Sequence, residues 1–284
     1  MRLVFFGEDS FSSAVLESLV SAQHEVIGVF CPIYGNNIYS RLKLACDKYR
    51  IPFFRVEDIN SEMIEKQILY LKPELIVVCH FQKILKKNII SIPILGCINL
   101  HPSLLPEYRG MSPQHWPIIN GDSETGITIH FINEGVDTGD IILQERIKIS
   151  NDMYVVDLQK KMLEVYRNIM VCAINKISER KDIFMKQDIQ EGSYYGRLKE
   201  SQCKIVITNG IASAYNLIRG VSMPYFGAEL EGYKIWKSRK ADNNISNKIQ
   251  DEFYRLGIHL GTEFGDFIKF EDGVLIIDKY NVIK

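Results

Sequence analysis

Three side chains in this 284-residue chain carry the clearest chemical signal: Asn99, His101 and Asp137. Asn99 and His101 stand two apart in CINLHPSLLPEYRG, residues 97–110. On an extended segment that spacing turns both to one side. Asp137 lies in NEGVDTGD, residues 133–140, a glycine-flanked loop from which it can reach His101. An imidazole moves a proton near neutral pH. A carboxylate fixes its tautomer and stabilises the imidazolium, and an amide donates to a developing oxyanion. Together they suit transfer of an acyl group to an amine, which is itself the nucleophile, so no Ser or Cys is needed. Taken singly, each has a plainer reading: N-x-H recurs by chance, and Asp-Thr-Gly is at home in a turn.

The elements around them must place the three together. Residues 2–6 (RLVFF) read as a buried strand closed by Gly7, and a helical pattern follows through Phe11, Val15, Leu16 and Leu19. Apolar runs at 25–30, 74–79 and 96–100 alternate with helical patterns at 38–49 and 61–71. Strands alternating with helices predict an α/β, Rossmann-like parallel sheet covered on both faces. Asn99 and His101 then fall at the carboxyl end of a strand, where open α/β sheets place ligands. Beyond residue 110 the period changes to two at 125–131 and 141–149, which predicts neighbouring strands; 154–177 is the longest helical pattern. A polar stretch leads to 203–284, with a short helix near 211–220 and strands at 232–237, 267–270 and 274–278. The expected division is a catalytic domain over 1–180, a linker over 181–202 and a smaller β-rich C-terminal domain over 203–284.

Composition narrows the function. Apolar residues make up 46% and charged ones 24%, an ordinary globular balance. The net charge is −1, and residues 200–284 hold 11 Lys/Arg against 11 Asp/Glu. A protein gripping nucleic acid through its phosphates carries a basic excess, so no nucleic-acid partner is expected. The six cysteines show no CxxC and no Cys/His cluster suited to zinc, so no metal is expected. Cys31, Cys79 and Cys97 sit in or beside apolar runs and read as core residues. Reduced thiols point to the cytoplasm. No run approaches the roughly 18–20 apolar residues of a membrane span.

The segment HPSLLPEYRG resembles the signature of the formyltransferases that use 10-formyltetrahydrofolate, and the opening VFFGEDSFS resembles that family's first strand and glycine turn. Asn99, His101 and Asp137 match the family's catalytic Asn, His and Asp. The tail, with IRGVSMPYFGAEL and GYKIWKSRK, is similar to the C-terminal domain shared by its transfer-RNA and sugar branches. The resemblance implies a formyl donor, 10-formyltetrahydrofolate. Its pterin would lie near Phe81, Gln82, Lys83, Ile84 and Leu85 and near Gly135 and Asp137; a plain helix start is the other reading of 81–85. Tyr108-Arg109-Gly110 looks like the sugar and transfer-RNA branches, and GMSPQHWPIING, residues 110–121, looks most like enzymes of nucleotide-linked amino sugars. CPIYGNNIYSRLK, after the second strand, lacks the basic insertion of the transfer-RNA enzymes. In the linker, Tyr195-Gly196 is followed by Arg197 and Leu198, where the family often has two arginines, and Lys204-Ile205 replaces an acidic-Trp pair.

The acceptor expected from the resemblance is a nucleotide-linked deoxyamino sugar, with thymidine diphosphate as nucleotide, formylated for a surface polysaccharide such as O-antigen or lipopolysaccharide; methionyl-tRNA is the alternative. Arg109 and Arg219 are the candidate cations for the diphosphate, with an ordinary loop salt bridge as the plainer reading of Arg109. Met111, Gln114, His115 and Trp116 follow the signature loop; an exposed Trp stacks on sugars or bases, while a buried one is core. Tyr225 and Phe226 offer an aromatic surface for the base, or else merely fill space beside the neighbouring domain. His80 and His130 read as structural. A homodimer is compatible with this reading, without a residue that argues for it.

Overall fold

The computed structural model describes residues 1–33, 40–179 and 184–283. Its first strands are β1 (Arg2–Gly7), β2 (Glu25–Pro32), β3 (Phe53–Val56), β4 (Leu75–Cys79) and β5 (Cys97–His101). Between them lie α1 (Ser10–Ser21), α2 (Ser40–Tyr49), α3 (Glu62–Leu71) and α4 (Lys87–Ile90). The two-residue strand β6 (Arg109–Gly110), the short helix α5 (Trp116–Asn120), β7 (Glu124–Phe131) and β8 (Ile141–Lys148) follow, then α6 (Val155–Ser178) and the two-residue strand β9 (Tyr194–Tyr195). One seven-stranded sheet runs in the order β3-β2-β1-β4-β5-β7-β8. The pairs from β3 to β5 are parallel, and β5 pairs antiparallel with β7.

The physical reason for the parallel part is visible in its strands. Leu3, Val4, Phe5 and Phe6 of β1 are all fully buried, as are Leu75, Ile76 and Val77 of β4. Strands covered on both faces read as continuous apolar runs. Val4, Phe6, Phe30, Ile76 and Val78 pack with Ile64 and Ile68 of α3 on one face. Gly7 ends β1 because nothing larger fits: a Cβ there would stand 2.6 Å from that of Ser12. Asp9 then starts α1 by accepting the Ser12 N–H at 2.9 Å.

The remaining strands form a second, antiparallel sheet: β10 (Ala228–Leu230), β11 (Tyr233–Lys240), β12 (Gly257–Thr262), β13 (Gly265–Phe270) and β14 (Gly273–Val282), in the order β10-β11-β14-β13-β12. With it come α7 (Gly210–Val221) and α8 (Asn243–Glu252). Ile249 of α8 packs on Phe267, Val274 and Ile276. The architecture is the expected one, a Rossmann-like α/β sheet and a β-rich C-terminal region.

Eight of the labelled elements lay outside the sequence reading: β3, α4, β6, α5, β9, β10, α8 and β12. β3 is four residues long at a sheet edge, and α8 buries a single side chain, Ile249. Of the helix expected over 38–49, residues 38 and 39 lie outside the described residues, as do 34–37 of the segment after β2 and 181–183 of the linker.

The chain forms two compact units, each assembled from separate stretches. One comprises Met1–Gly110, Gly126–Ile147 and Lys161–Tyr194; the other comprises Met111–Thr125, Lys148–Lys160 and Tyr195–Lys284.

Candidate active site

β5 and β7 bring the candidate residues to one place. Their antiparallel register sets Asn99 opposite His130 and His101 opposite Thr128. Alternation along each strand turns Asn99 and His101, and Thr128 and His130, to a common side. His130 Nδ1 donates to the carbonyl oxygen of Phe131 at 2.8 Å, so the lone pair of a neutral ring sits on Nε2. Asn99 Nδ2 donates to that nitrogen at 3.2 Å. The amide is thereby oriented, and its second N–H remains for another acceptor.

His101 is 4% exposed. Its Nε2 donates to the carbonyl oxygen of Tyr108 at 2.8 Å, and its Nδ1 lies 3.6 Å from Asp137 Oδ2. Burial holds the imidazole below its ordinary pKa, against the pull of Asp137, with His130 adding to the depression. The ring is therefore a neutral base with its lone pair on Nδ1. Once protonated, it faces an acceptor at each nitrogen.

Asp137 is fixed by the loop that carries it. Gly110 N–H donates to its Oδ2 at 2.9 Å, and His130 Nε2 lies 3.5 Å from its Oδ1. Burial works against its charge, but His101, His130 and the Gly110 N–H outweigh burial and hold the carboxyl well below the usual range. Gln187 Nε2 bridges the carbonyl oxygens of Asp137 and Gly139 at 3.0 and 2.6 Å. Gly139 is required because a Cβ there would meet the Phe131 carbonyl oxygen at 1.8 Å. Asp137, Tyr108 and His80 all adopt positive φ, at 53°, 58° and 49°. Such values are uncommon without glycine and gather where a side chain must be aimed.

Two loops are expected to hold a pterin. Residues 81–85 form an irregular loop before α4, not a helix start. Lys87, the first residue of α4, pairs through Nζ with Glu134 Oε1 at 3.2 Å, an exposed ion pair between that helix and the 133–137 loop. Ile84 is 72% and Val136 43% exposed, one apolar side chain on each loop. Gln82 and Gly135 are exposed, Phe81 and Lys83 half-buried, and Leu85 is core.

The expected acceptor residues have varied fates. Arg109 is half-buried in the first unit and donates from Nη2 to the Ile189 carbonyl oxygen at 3.1 Å, while its Nε has no partner among the described residues. The others belong to the second unit. Trp116 is buried against Tyr195, with ring centroids 4.7 Å apart, and donates to the Met111 carbonyl oxygen at 3.3 Å. Of the two readings left open, stacking surface or core, its burial fits core. His115 is buried too and donates from Nδ1 to the Gly220 carbonyl oxygen at 2.8 Å. Its ring meets the edge of Tyr225 at 4.4 Å. Tyr225 and Phe226 are half-buried, as are Met111 and Gln114, and the Tyr225 hydroxyl accepts from Gln159 Nε2.

Arg219 is a clearer correction. It is 4% exposed and donates to the carbonyl oxygens of Ser150 and Met153 and to Asn216 Oδ1, at 3.3, 2.7 and 2.6 Å. Its guanidinium also lies 5.1 Å from the Tyr215 ring centroid. It is spent on its own unit rather than offered to a diphosphate. His130, set aside as structural, is the residue the sequence reading missed. Its signal was TIH, residues 128–130, on the strand beside NLH, residues 99–101.

Comparison with known proteins places the geometry in a family. The formyl transferase family profile matches residues 1–174. The methionyl-tRNA formyltransferase of Alkaliphilus metalliredigens (strain QYMF) is 30% identical over 288 residues, covering 98% of this chain and 90% of that protein. That of Kosmotoga olearia is 35% identical over 226 residues, covering 77% and 72%. Among solved structures, WlaRD, a sugar 3N-formyl transferase crystallised with dTDP and 5-N-formyl-THF, superposes with a TM-score of 0.74 at 24% identity over 98% of this chain and 96% of its own. The N-formyltransferase from Helicobacter canadensis, in complex with folinic acid and dTDP-3-aminofucose, gives 0.74 at 22% identity over 99% and 100%. The fold is shared along nearly the whole chain, and the profile covers the sheet that holds Asn99, His101, His130 and Asp137. The chain belongs to the formyl transferase family.

Proposed function

We propose that this enzyme transfers a formyl group from 10-formyltetrahydrofolate to the amino group of a dTDP-linked deoxyamino sugar, a cytoplasmic step towards a surface polysaccharide. The observation that carries the chemistry is the meeting of Asn99, His101 and Asp137 at the end of β5. His101 Nδ1 takes the proton that the attacking amine must lose and returns it to the donor nitrogen as its bond to the formyl carbon breaks. Asp137, 3.6 Å away, and the Tyr108 carbonyl then stabilise the imidazolium. Asn99 Nδ2 donates to the carbonyl oxygen that gains charge. The loops at 81–85 and 133–137 suit the donor: each presents an apolar side chain for a flat ring, and their backbone groups can read its polar edge. In this reading residues 1–180 carry catalysis, 181–202 are a linker and 203–284 are an accessory β-rich domain.

For the acceptor, the supporting observation is local neutrality in the C-terminal region. Lys204, Lys234, Arg239 and Arg255 pair with Glu229, Glu200, Asp278 and Glu231. Arg219 and Lys269 are buried. Lys237, Lys240, Lys248 and Lys279 are exposed, so the support is the even count of 11 Lys/Arg against 11 Asp/Glu over 200–284, where a surface that displaces counterions from RNA carries a basic excess. Arg109, Met111, Gln114, Tyr225 and Phe226 remain the candidate acceptor contacts; His115, like Trp116 and Arg219, is buried. A second reading, formylation of methionyl-tRNA, draws on the relatives at 30–35% identity.

The test compares transfer to a panel of dTDP-amino sugars with transfer to initiator methionyl-tRNA across a salt series. The expected result is turnover of a nucleotide sugar with shallow salt dependence. Efficient transfer to the RNA, with none to any sugar, would overturn the reading.

A further inference from the structure

The seven-stranded sheet reverses its winding between β1 and β4. From β1 the chain adds β2 and β3 on one side, then crosses to add β4 and β5 on the other. Ligands of open α/β sheets bind outside the carboxyl ends of the strands at such a switch. The first residues beyond β1 and β4 are Glu8 and His80. Gly7 pairs with Cys79, and Cys79 with Leu100. One step further along, Glu8, His80 and His101 follow one another on three adjacent strands. At about 4.8 Å per strand, the backbones of Glu8 and His101 are roughly 10 Å apart, with His80 between them.

Of the polar groups at the switch, Glu8 is the one left incomplete. Asp9 caps α1 and pairs with His80 Nδ1 at 2.8 Å, and His80 Nε2 accepts the Tyr166 hydroxyl at 3.1 Å. Glu8 is 3% exposed and hydrogen-bonded by the backbone N–H and side chain of Gln82, but its Oε2 has no partner among the described residues. Burying a carboxyl oxygen without a donor costs free energy. With Asp9 beside it, the site repels a phosphate. For the ionised carboxylate, which only accepts, the missing partner is a hydrogen-bond donor.

We propose that Glu8 is a specificity-determining residue of the acceptor site, its Oε2 taking a hydrogen bond from a ring hydroxyl of the sugar whose amine is formylated at His101. The proposal rests on the nucleotide-sugar reading above. It places the amine at one edge of the ring, over β5, and the recognised hydroxyl at the other, over β1.

The experiment uses the full chain as wild type, Glu8→Gln and Glu8→Ala, each checked by thermal melting, with a dTDP-amino sugar and analogues lacking one ring hydroxyl each. The wild type should lose roughly 10–100-fold in kcat/KM with one analogue, the range for a hydrogen bond to a charged group. Glu8→Ala should lose about as much with the parent sugar and nothing further with that analogue, at unchanged KM for the formyl donor. Glu8→Gln, which keeps the shape, should lie between. The proposal is overturned if the variants discriminate among the analogues as the wild type does, or if their loss falls on the donor's KM. A wild type that formylates no nucleotide sugar overturns the acceptor reading first and this proposal with it. A wild type that formylates them, with discrimination unmoved in both variants, overturns this proposal alone.

Discussion

Asn99 and His130 face each other across the β5–β7 pair, Nδ2 3.2 Å from Nε2. The imidazole orients the amide rather than the reacting groups. Asn99→Ala should lower kcat by roughly 10²–10³, the usual loss for an oxyanion donor. His130→Ala should cost about tenfold, because the amide remains but is free to turn. The double variant should resemble Asn99→Ala, since both changes act through one hydrogen bond. Steady-state kinetics of the three checks this; additive losses would mean that His130 acts independently.

His101 should act as a base that stays neutral below the ordinary imidazole pKa. Burial is the largest cause of its depression, and Asp137 opposes it. Activity should therefore fall only as pH drops through a value below about 6.5. His101→Ala should cost roughly 10²–10⁴ in rate. Asp137→Asn removes the group that favours the imidazolium, so the acid limb of its pH–rate profile should move lower while kcat falls. A limb that moves up would contradict the assignment.

Arg219 should matter for stability more than for binding. Three oxygens of its own unit depend on its guanidinium. Arg219→Ala would leave buried carbonyls without donors, at about 2–4 kcal/mol. The melting temperature should drop by several degrees, while acceptor KM for the folded fraction stays within about twofold. A stable variant with a large rise in KM would restore Arg219 as a ligand.

Glu8 should set a pH dependence of folding. Burial first, then Asp9, pushes its carboxyl up to about 7, against Gln82 and His80; Cys31 also faces it. The folded state therefore binds this proton more tightly than the unfolded one, and stability should decline as pH rises from about 4.5 to about 7. Allowing for solvent screening, the decline is about 1–2 kcal/mol. Denaturant titrations across this range should show Glu8→Gln gaining on the wild type as pH rises. Parallel curves would mean that Glu8 ionises freely.

Legibility in the sequence followed the physics of each element. β1 and β4 announced themselves because strands covered on both faces must be apolar throughout. α6 was visible because its apolar period persists, although Tyr166 rather than Val165 takes the buried place. β3, β10 and β12 are short, and α8 buries only Ile249, so none leaves a local pattern. The catalytic trio was legible through spacing on one strand and one loop. His130 was not, because its role comes from the β5–β7 register, a long-range property. Arg219 looked available since nothing local reveals that Ser150 and Met153 would claim it.

The interleaving of the two units has a consequence for where the chain can be cut. The chain passes from one unit to the other after Gly110, Thr125, Ile147, Lys160 and Tyr194. A cut at any single peptide bond therefore leaves at least one unit missing a part of itself. Residues 195–284 are accordingly only part of the second unit, which also draws on 111–125 and 148–160. A protein cut after Tyr194 should keep every stretch of the first unit and lose most of the second.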